Sequence, residues 1–124
     1  MNVKPLTGNT LSKQERLSGK TGIAQLLSKA SYGSANGLKY CYITDSGAEC
    51  NRIMVSVSKK LFRRAVKRNL LKRRMREAYR REKSLLPQGK GIDILFMYNT
   101  KEVLDFQTIR ASIRESLSCI SSSI

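Results

Sequence analysis

The spacing of apolar residues changes character several times along the chain. From Thr21, the positions Ile23, Ala24, Leu26, Leu27 and Ala30 recur at helical spacing, and Thr21 is placed to cap that helix. SYGSANG at 31–37 interrupts the pattern as a loop punctuated by Gly33 and Gly37. Leu38 to Thr44 (LKYCYIT) is rich in aromatic and β-branched residues and reads as a strand. DSGAECN at 45–51 reads as a turn, and Arg52 to Ser58 (RIMVSVS) as a second strand, so 38–58 predicts a hairpin. A further strand is to be sought within 31–44.

The next segment is helical. At about 100° per residue, Leu71, Met75, Ala78 and Tyr79 share one side of a helix over 66–83 and form its core stripe. LLPQGKG at 85–91 stops it, and Ile92 to Tyr98 (IDILFMY) is the most apolar run, expected as a central strand. Asp105 is placed to cap a last helix whose apolar positions Phe106, Ile109, Ile113, Leu117 and Ile120 form a core-packing stripe. These elements predict an α+β fold: a single small domain with a mixed sheet of about four strands, three helices and a βαβ unit between 52 and 98. Residues 1–12 are expected as a flexible arm, 13–120 as the domain, and 121–124 as a disordered tail.

Charge changes this picture most between 59 and 83, KKLFRRAVKRNLLKRRMREAYRREK. The segment holds 13 of the chain's 24 Lys and Arg but only two acids, Glu77 and Glu82, and so carries +11 of the net +15. The wheel places Arg68, Asn69, Lys72, Arg73, Arg76, Arg80 and Lys83 opposite the core stripe, a nearly uniform cationic face. Like-charge pairs such as Arg68/Lys72 and Lys72/Arg76 at i,i+4 cost a few tenths of a kcal/mol each. A polyanionic partner accounts for tolerating them, since phosphates attract such a patch by releasing condensed counterions.

Other chemistries are excluded by what is missing. The chain has no His, and Cys41, Cys50 and Cys119 are widely spaced. Zinc fingers, Ser-His-Asp triads and Cys-His dyads are therefore ruled out, and three reduced, mostly buried thiols are expected. General acid–base work would fall to carboxylates such as Asp45, Glu49 and Asp93, which form no constellation. No run approaches the roughly 18–20 apolar residues of a membrane span, and no apolar core of signal-peptide length opens the chain, so a cytoplasmic protein is expected.

The stretch VSVSKKLFRRAVKRNLLKRRMREAYR, residues 55–80, resembles the signature of the bacterial ribonuclease P protein component. A strand ends in Ser58-Lys59-Lys60; a helix then carries Arg68-Asn69, Lys72-Arg73 and Arg76-Glu77-Ala78-Tyr79. ERL at 15–17, the strand at 92–98 and the closing helix follow the family's order, so the resemblance spans about residues 11–120. It implies a ribonucleoprotein subunit, one protein per RNA, that assists removal of the 5′ leader from precursor tRNA. Hydrolysis is then done by the catalytic RNA with Mg²⁺ bound mainly by that RNA, and no organic cofactor, catalytic residue or metal ligand is expected in this chain. It also implies a left-handed crossover in the βαβ unit, against the usual rule.

Carried over residue by residue, the resemblance makes Lys59, Lys60, Arg63, Arg64, Lys67, Arg68, Asn69, Lys72, Arg73, Arg76 and Arg80 the candidate RNA contacts. Asn69 offers either a contact to a base edge or 2′-hydroxyl or a hydrogen bond to its own helix. Ile23, Leu27, Tyr40, Tyr42, Ser56 and Ser58 are the candidate lining of a leader-binding cleft between the first helix and the sheet. Tyr40 and Tyr42 share a strand face, as do Ser56 and Ser58; the tyrosines either stack on leader nucleotides or pack half-buried in the sheet. Two departures stand out. Leu70 occupies the third position of an Arg-Asn-Arg triplet, so one contact is missing or Arg74 supplies it. Ile23 and Leu27 stand where aromatic residues are usual, leaving stacking weaker or to Tyr42. A structural RNA-binding protein, a DNA-binding module and a membrane-surface helix are the alternatives. The first does not need the cleft, the second lacks a helix-turn-helix, and the third lacks apolar residues to insert.

Overall fold

The structure is a computed structural model that describes residues 30–44, 50–87 and 91–123. The arm at 1–12, the helix expected from Thr21, and with it Ile23 and Leu27, lie outside the described residues. Four strands, β1 (Ser31–Ala35), β2 (Leu38–Ile43), β3 (Arg52–Ser56) and β4 (Asp93–Tyr98), form one mixed sheet in the order β1-β2-β4-β3. Two α-helices are described, α1 (Ala65–Glu82) and α2 (Phe106–Ser123), with a 3-10 turn at Lys83–Leu85 after α1. No helix among the described residues is long and apolar enough to cross a membrane.

The hairpin expected over 38–58 does not form. β2 pairs antiparallel with β1 and β4, while β3 pairs parallel with β4, so β4 separates the two strands of the expected hairpin. The hairpin lies one strand earlier, where Asn36-Gly37 joins β1 to β2. Asn-Gly is the strongest short hairpin signal, and Gly37 takes the left-handed φ of 78° that such a turn requires. β3, α1 and β4 form the expected βαβ unit, with β4 at the sheet interior. Its near-continuous apolar run is what a strand buried on both faces needs.

The register sorts side chains into two faces. Tyr40, Phe96 and Val55 stand in one cross-strand row, and Tyr42, Ile94 and Ile53 in the next, all on the face that packs against the helices. Leu71, Met75, Ala78 and Tyr79 from α1 join Ile109, Ile113, Leu117 and Ile120 from α2 in this core, the two stripes expected from spacing. Gly33 lies beside Tyr40 in the register, and a Cβ there would fall 2.5 Å from the Tyr40 ring. On the other face, Cys41 and Leu95 are buried with Ala30, Ile43, Met54 and Met97 packed around them.

Polar groups fix the helix ends and the strand starts. Asp105 caps α2 as expected: its Oδ1 accepts from the Thr108 N–H at 2.9 Å, a bond that lowers its pKa. The α2 helix continues through 121–123, past the point where the chain was expected to fray. Glu82, buried at the end of α1, accepts from Arg110 and Arg114 of α2. Burial pushes its pKa up, but these bonds outweigh it and the net shift is downward. Asn51 donates to the Pro87 carbonyl and accepts from the Ile92 N–H, fixing the start of β3 beside that of β4.

Candidate nucleic-acid interface

The start of α1 is built without the usual N-terminal devices. Arg64 precedes the helix in an extended conformation with no side-chain cap, and the first turn contains no acid. The loop into it is ordered from within. Leu61 and Phe62 N–H groups bond to the Ser58 carbonyl, and Phe62 sets its ring edge-on to Tyr98 at 5.8 Å. The Arg68 guanidinium reaches back to donate to the carbonyls of Phe62 at 2.9 Å and Arg63 at 2.7 Å. Lys59, Lys60, Arg63, Arg64 and Lys67 are left exposed around this helix end. Positive charge there opposes the helix dipole, an arrangement that favours a bound anion.

Along the helix the cations divide by what holds them. Asn69, Arg73 and Arg76 are exposed, and no carboxylate among the described residues pairs with Lys67, Arg73 or Arg76. Arg80 and Arg81 converge on Glu77. The hydrogen bond from Arg80 above all, aided by Arg81, lowers the Glu77 pKa to about 2. Arg68 and Lys72 do not lie opposite the core stripe as expected: both are half-buried, because on the wheel Arg68 falls between Met75 and Tyr79 and Lys72 beside Tyr79. Arg74, the alternative to an arginine at position 70, is engaged within the fold. Its Nη1 donates to the Leu104 carbonyl at 2.6 Å, tying α1 to the loop before α2.

The four cleft candidates among the described residues, Tyr40, Tyr42, Ser56 and Ser58, are not brought together on one face. Tyr40 is 5% exposed, in the core between Tyr42 and Phe96, with ring centroids 6.4 Å from each. Burial pushes its hydroxyl pKa up to about 12. Tyr42 is half-buried on the same helix-covered face, so both tyrosines point away from Ser56, which the register places on the opposite face. Ser58 lies beyond the end of β3, exposed, with its carbonyl and hydroxyl turned to the Leu61 N–H.

The face that carries Ser56 holds residues the sequence reading passed over. One cross-strand row runs Tyr32, Cys41, Leu95, Met54; the next runs Ser34, Lys39, Met97, Ser56. Tyr32 is 62% exposed and Lys39 is exposed, above a floor of Met54, Met97 and buried Leu95. At the edge of this face Arg52 grips Asp93 with two bonds of 2.8 and 2.6 Å. The signal for these residues was alternation through β1, legible only with 31–35 recognised as a strand. The thiols are free as expected, but only Cys41 is buried; Cys50 is half-buried and Cys119 exposed.

Fold and surface together define a class: a small basic α+β domain whose cationic helix crosses between two parallel strands. The sequence model of the family described as Ribonuclease P matches residues 11–121. A ribonuclease P protein component from Porphyromonas gingivalis is 40% identical over 114 residues, covering 86% of this chain and 83% of that protein. One from Chlorobaculum tepidum is 33% identical over 125 residues, covering 88% and 81%. The RNase P protein from Thermotoga maritima superposes with a TM-score of 0.72 at 26% identity, over 85% of this chain and 96% of that one. The Staphylococcus aureus RNase P protein shares the fold, with a TM-score of 0.73 at 22% identity over 86% and 94%. The chain belongs to the ribonuclease P protein component family. As such it is a subunit of a ribonucleoprotein endoribonuclease of tRNA processing, with an RNA partner.

Proposed function

We propose that this chain binds the catalytic RNA of ribonuclease P through the start and outer side of α1, and holds the 5′ leader of precursor tRNA on the sheet face away from α1 and α2. One protein joins one RNA, and the assembly removes the leader to give mature tRNA 5′ ends. The observation that carries this reading is the set of exposed cations Arg63, Arg64, Lys67, Arg73 and Arg76, which no described carboxylate pairs with, around a helix end without a side-chain cap. Phosphates would bond the free N–H groups there and release counterions from the arginines. Arginine's fork suits that role better than lysine's point charge.

Tyr32 and Lys39, above the Met54 and Met97 floor, suit an unpaired leader. The ring offers a stacking surface, and Lys39, Ser34 and Ser56 offer donors to phosphate. Phosphodiester hydrolysis is assigned to the RNA and the Mg²⁺ it holds. This chain's described carboxylates make a poor Mg²⁺ cage: Asp93, Glu77 and Glu82 are each engaged by arginine, and among the described residues no three His, Cys, Asp or Glu converge.

The test is cleavage of a leader-bearing precursor tRNA by a bacterial ribonuclease P RNA at low Mg²⁺, with and without the protein. Cleavage at the mature 5′ end that requires the protein is the expected result. Tight RNA binding without any rescue would instead favour a purely structural RNA-binding role.

A further inference from the structure

The outward side of α1 is not uniformly cationic. Val66, Leu70, Arg73 and Glu77, at i, i+4, i+7 and i+11, form a single stripe opposite the buried Leu71, Met75 and Ala78. Val66 is 78% exposed, and Leu70, half-buried, is not among the described residues packed against the core. The two side chains make an apolar step at the start of the helix, bordered by Arg63, Arg64, Lys67 and Arg73. Val66 in particular gains little from burial in the folded chain. Their neighbours indicate what would cover them. A second copy of this chain would bring a further net +15 against the same arginines. An RNA duplex would satisfy the arginines but keep its bases stacked out of reach. An unpaired nucleotide offers both complements at once, phosphates for the cations and a flat, weakly polar base face for the aliphatic step.

Building on the proposed RNA-binding role of α1, we infer that Val66 and Leu70 form an apolar seat for an unpaired base of the RNA partner, framed by phosphate contacts to Arg63, Lys67 and Arg73. The seat makes binding at this helix selective for RNA with an unpaired nucleotide, where the arginines alone would accept any phosphate backbone. Leu70, where an arginine is expected from the family signature, is then a change from charge recognition to apolar recognition.

The experiment compares wild type with the double variant Val66→Ala, Leu70→Ala, in which alanine preserves helix propensity. Affinity is measured over a salt series for a bacterial ribonuclease P RNA and for a fully paired RNA duplex. The expected result is a loss of about fivefold or more for the ribonuclease P RNA, from the apolar area no longer buried, with an unchanged salt slope. Affinity for the duplex stays the same. Equal losses on both RNAs would overturn the base seat. So would unchanged affinity on both, or a change confined to self-association in sedimentation. Arg73→Ala with Arg76→Ala, run in parallel, separates the two readings. If that pair weakens binding and the apolar pair does not, the seat is wrong and the proposed function stands. If neither pair has any effect, α1 is not the RNA contact and both readings fall.

Discussion

Tyr40 takes its chemistry from its position. Its ring lies in the core between Phe96 and Tyr42. Burial above all holds the phenol's pKa up to about 12, against an ordinary value of 10.0. The folded state therefore keeps a proton that the unfolded chain releases. Stability from this group is full below pH 10 and is lost as pH rises from about 10 to about 12. Tyr40→Phe should flatten the alkaline limb of a stability–pH profile relative to wild type, as measured by urea unfolding. A limb of unchanged steepness would mean that the phenol is not desolvated. Alternation along LKYCYIT shows that Tyr40 and Tyr42 share a face, but not which face the helices cover. That depends on pairings with β1 and β4 and on where α2 docks, which no local pattern contains.

At the scale of elements, several local readings hold, while the loop expected over 31–37 contains β1 instead. The α1 and α2 stripes, the Asp105 cap and the apolar interior strand all follow from spacing within one segment. The β2–β3 hairpin failed because two adjacent strand-like runs with a turn between them look the same whether they pair or are parted by a third strand. The βαβ unit places β4 between them. What then holds α1 against α2 is partly polar. Glu82 is 10% exposed in its side chain and bonds both Arg110 and Arg114, though Arg114 is 57% exposed and its share is correspondingly screened. Glu82→Gln removes the charge and leaves Arg110 half-buried beside a neutral amide. The expected cost is about 2 kcal/mol in chemical denaturation, since breaking one side of a mostly buried pair strands the other. Affinity for RNA at a fixed folded concentration should not move, because the pair lies on the inner side of the helix. A variant as stable as wild type would mean that water replaces the bond without loss.

For the whole molecule, net charge attracts RNA, but only cations free to approach phosphate register in the salt dependence of binding. Arg73 and Arg74 are neighbours in sequence with opposite assignments. Arg73 is exposed and meets no described carboxylate; Arg74 is half-buried with its guanidinium on the Leu104 carbonyl. The sequence shows two adjacent arginines in a basic run, and composition cannot distinguish them. Their directions around α1, about 100° apart, do so. Arg73→Ala should lower the slope of log affinity against log salt by roughly 0.7 to 0.9, one phosphate contact, and leave the melting temperature within a degree or two of wild type. Arg74→Ala should do the reverse. Its slope stays that of wild type, while loss of the bond to Leu104 lowers stability by about 1 kcal/mol and loosens the loop that leads into α2. Equal drops in slope for both variants would mean that RNA draws Arg74 away from Leu104. The loop before α2 would then belong to the interface, and the division of cations into RNA-facing and fold-holding groups would have to be redrawn with the RNA bound.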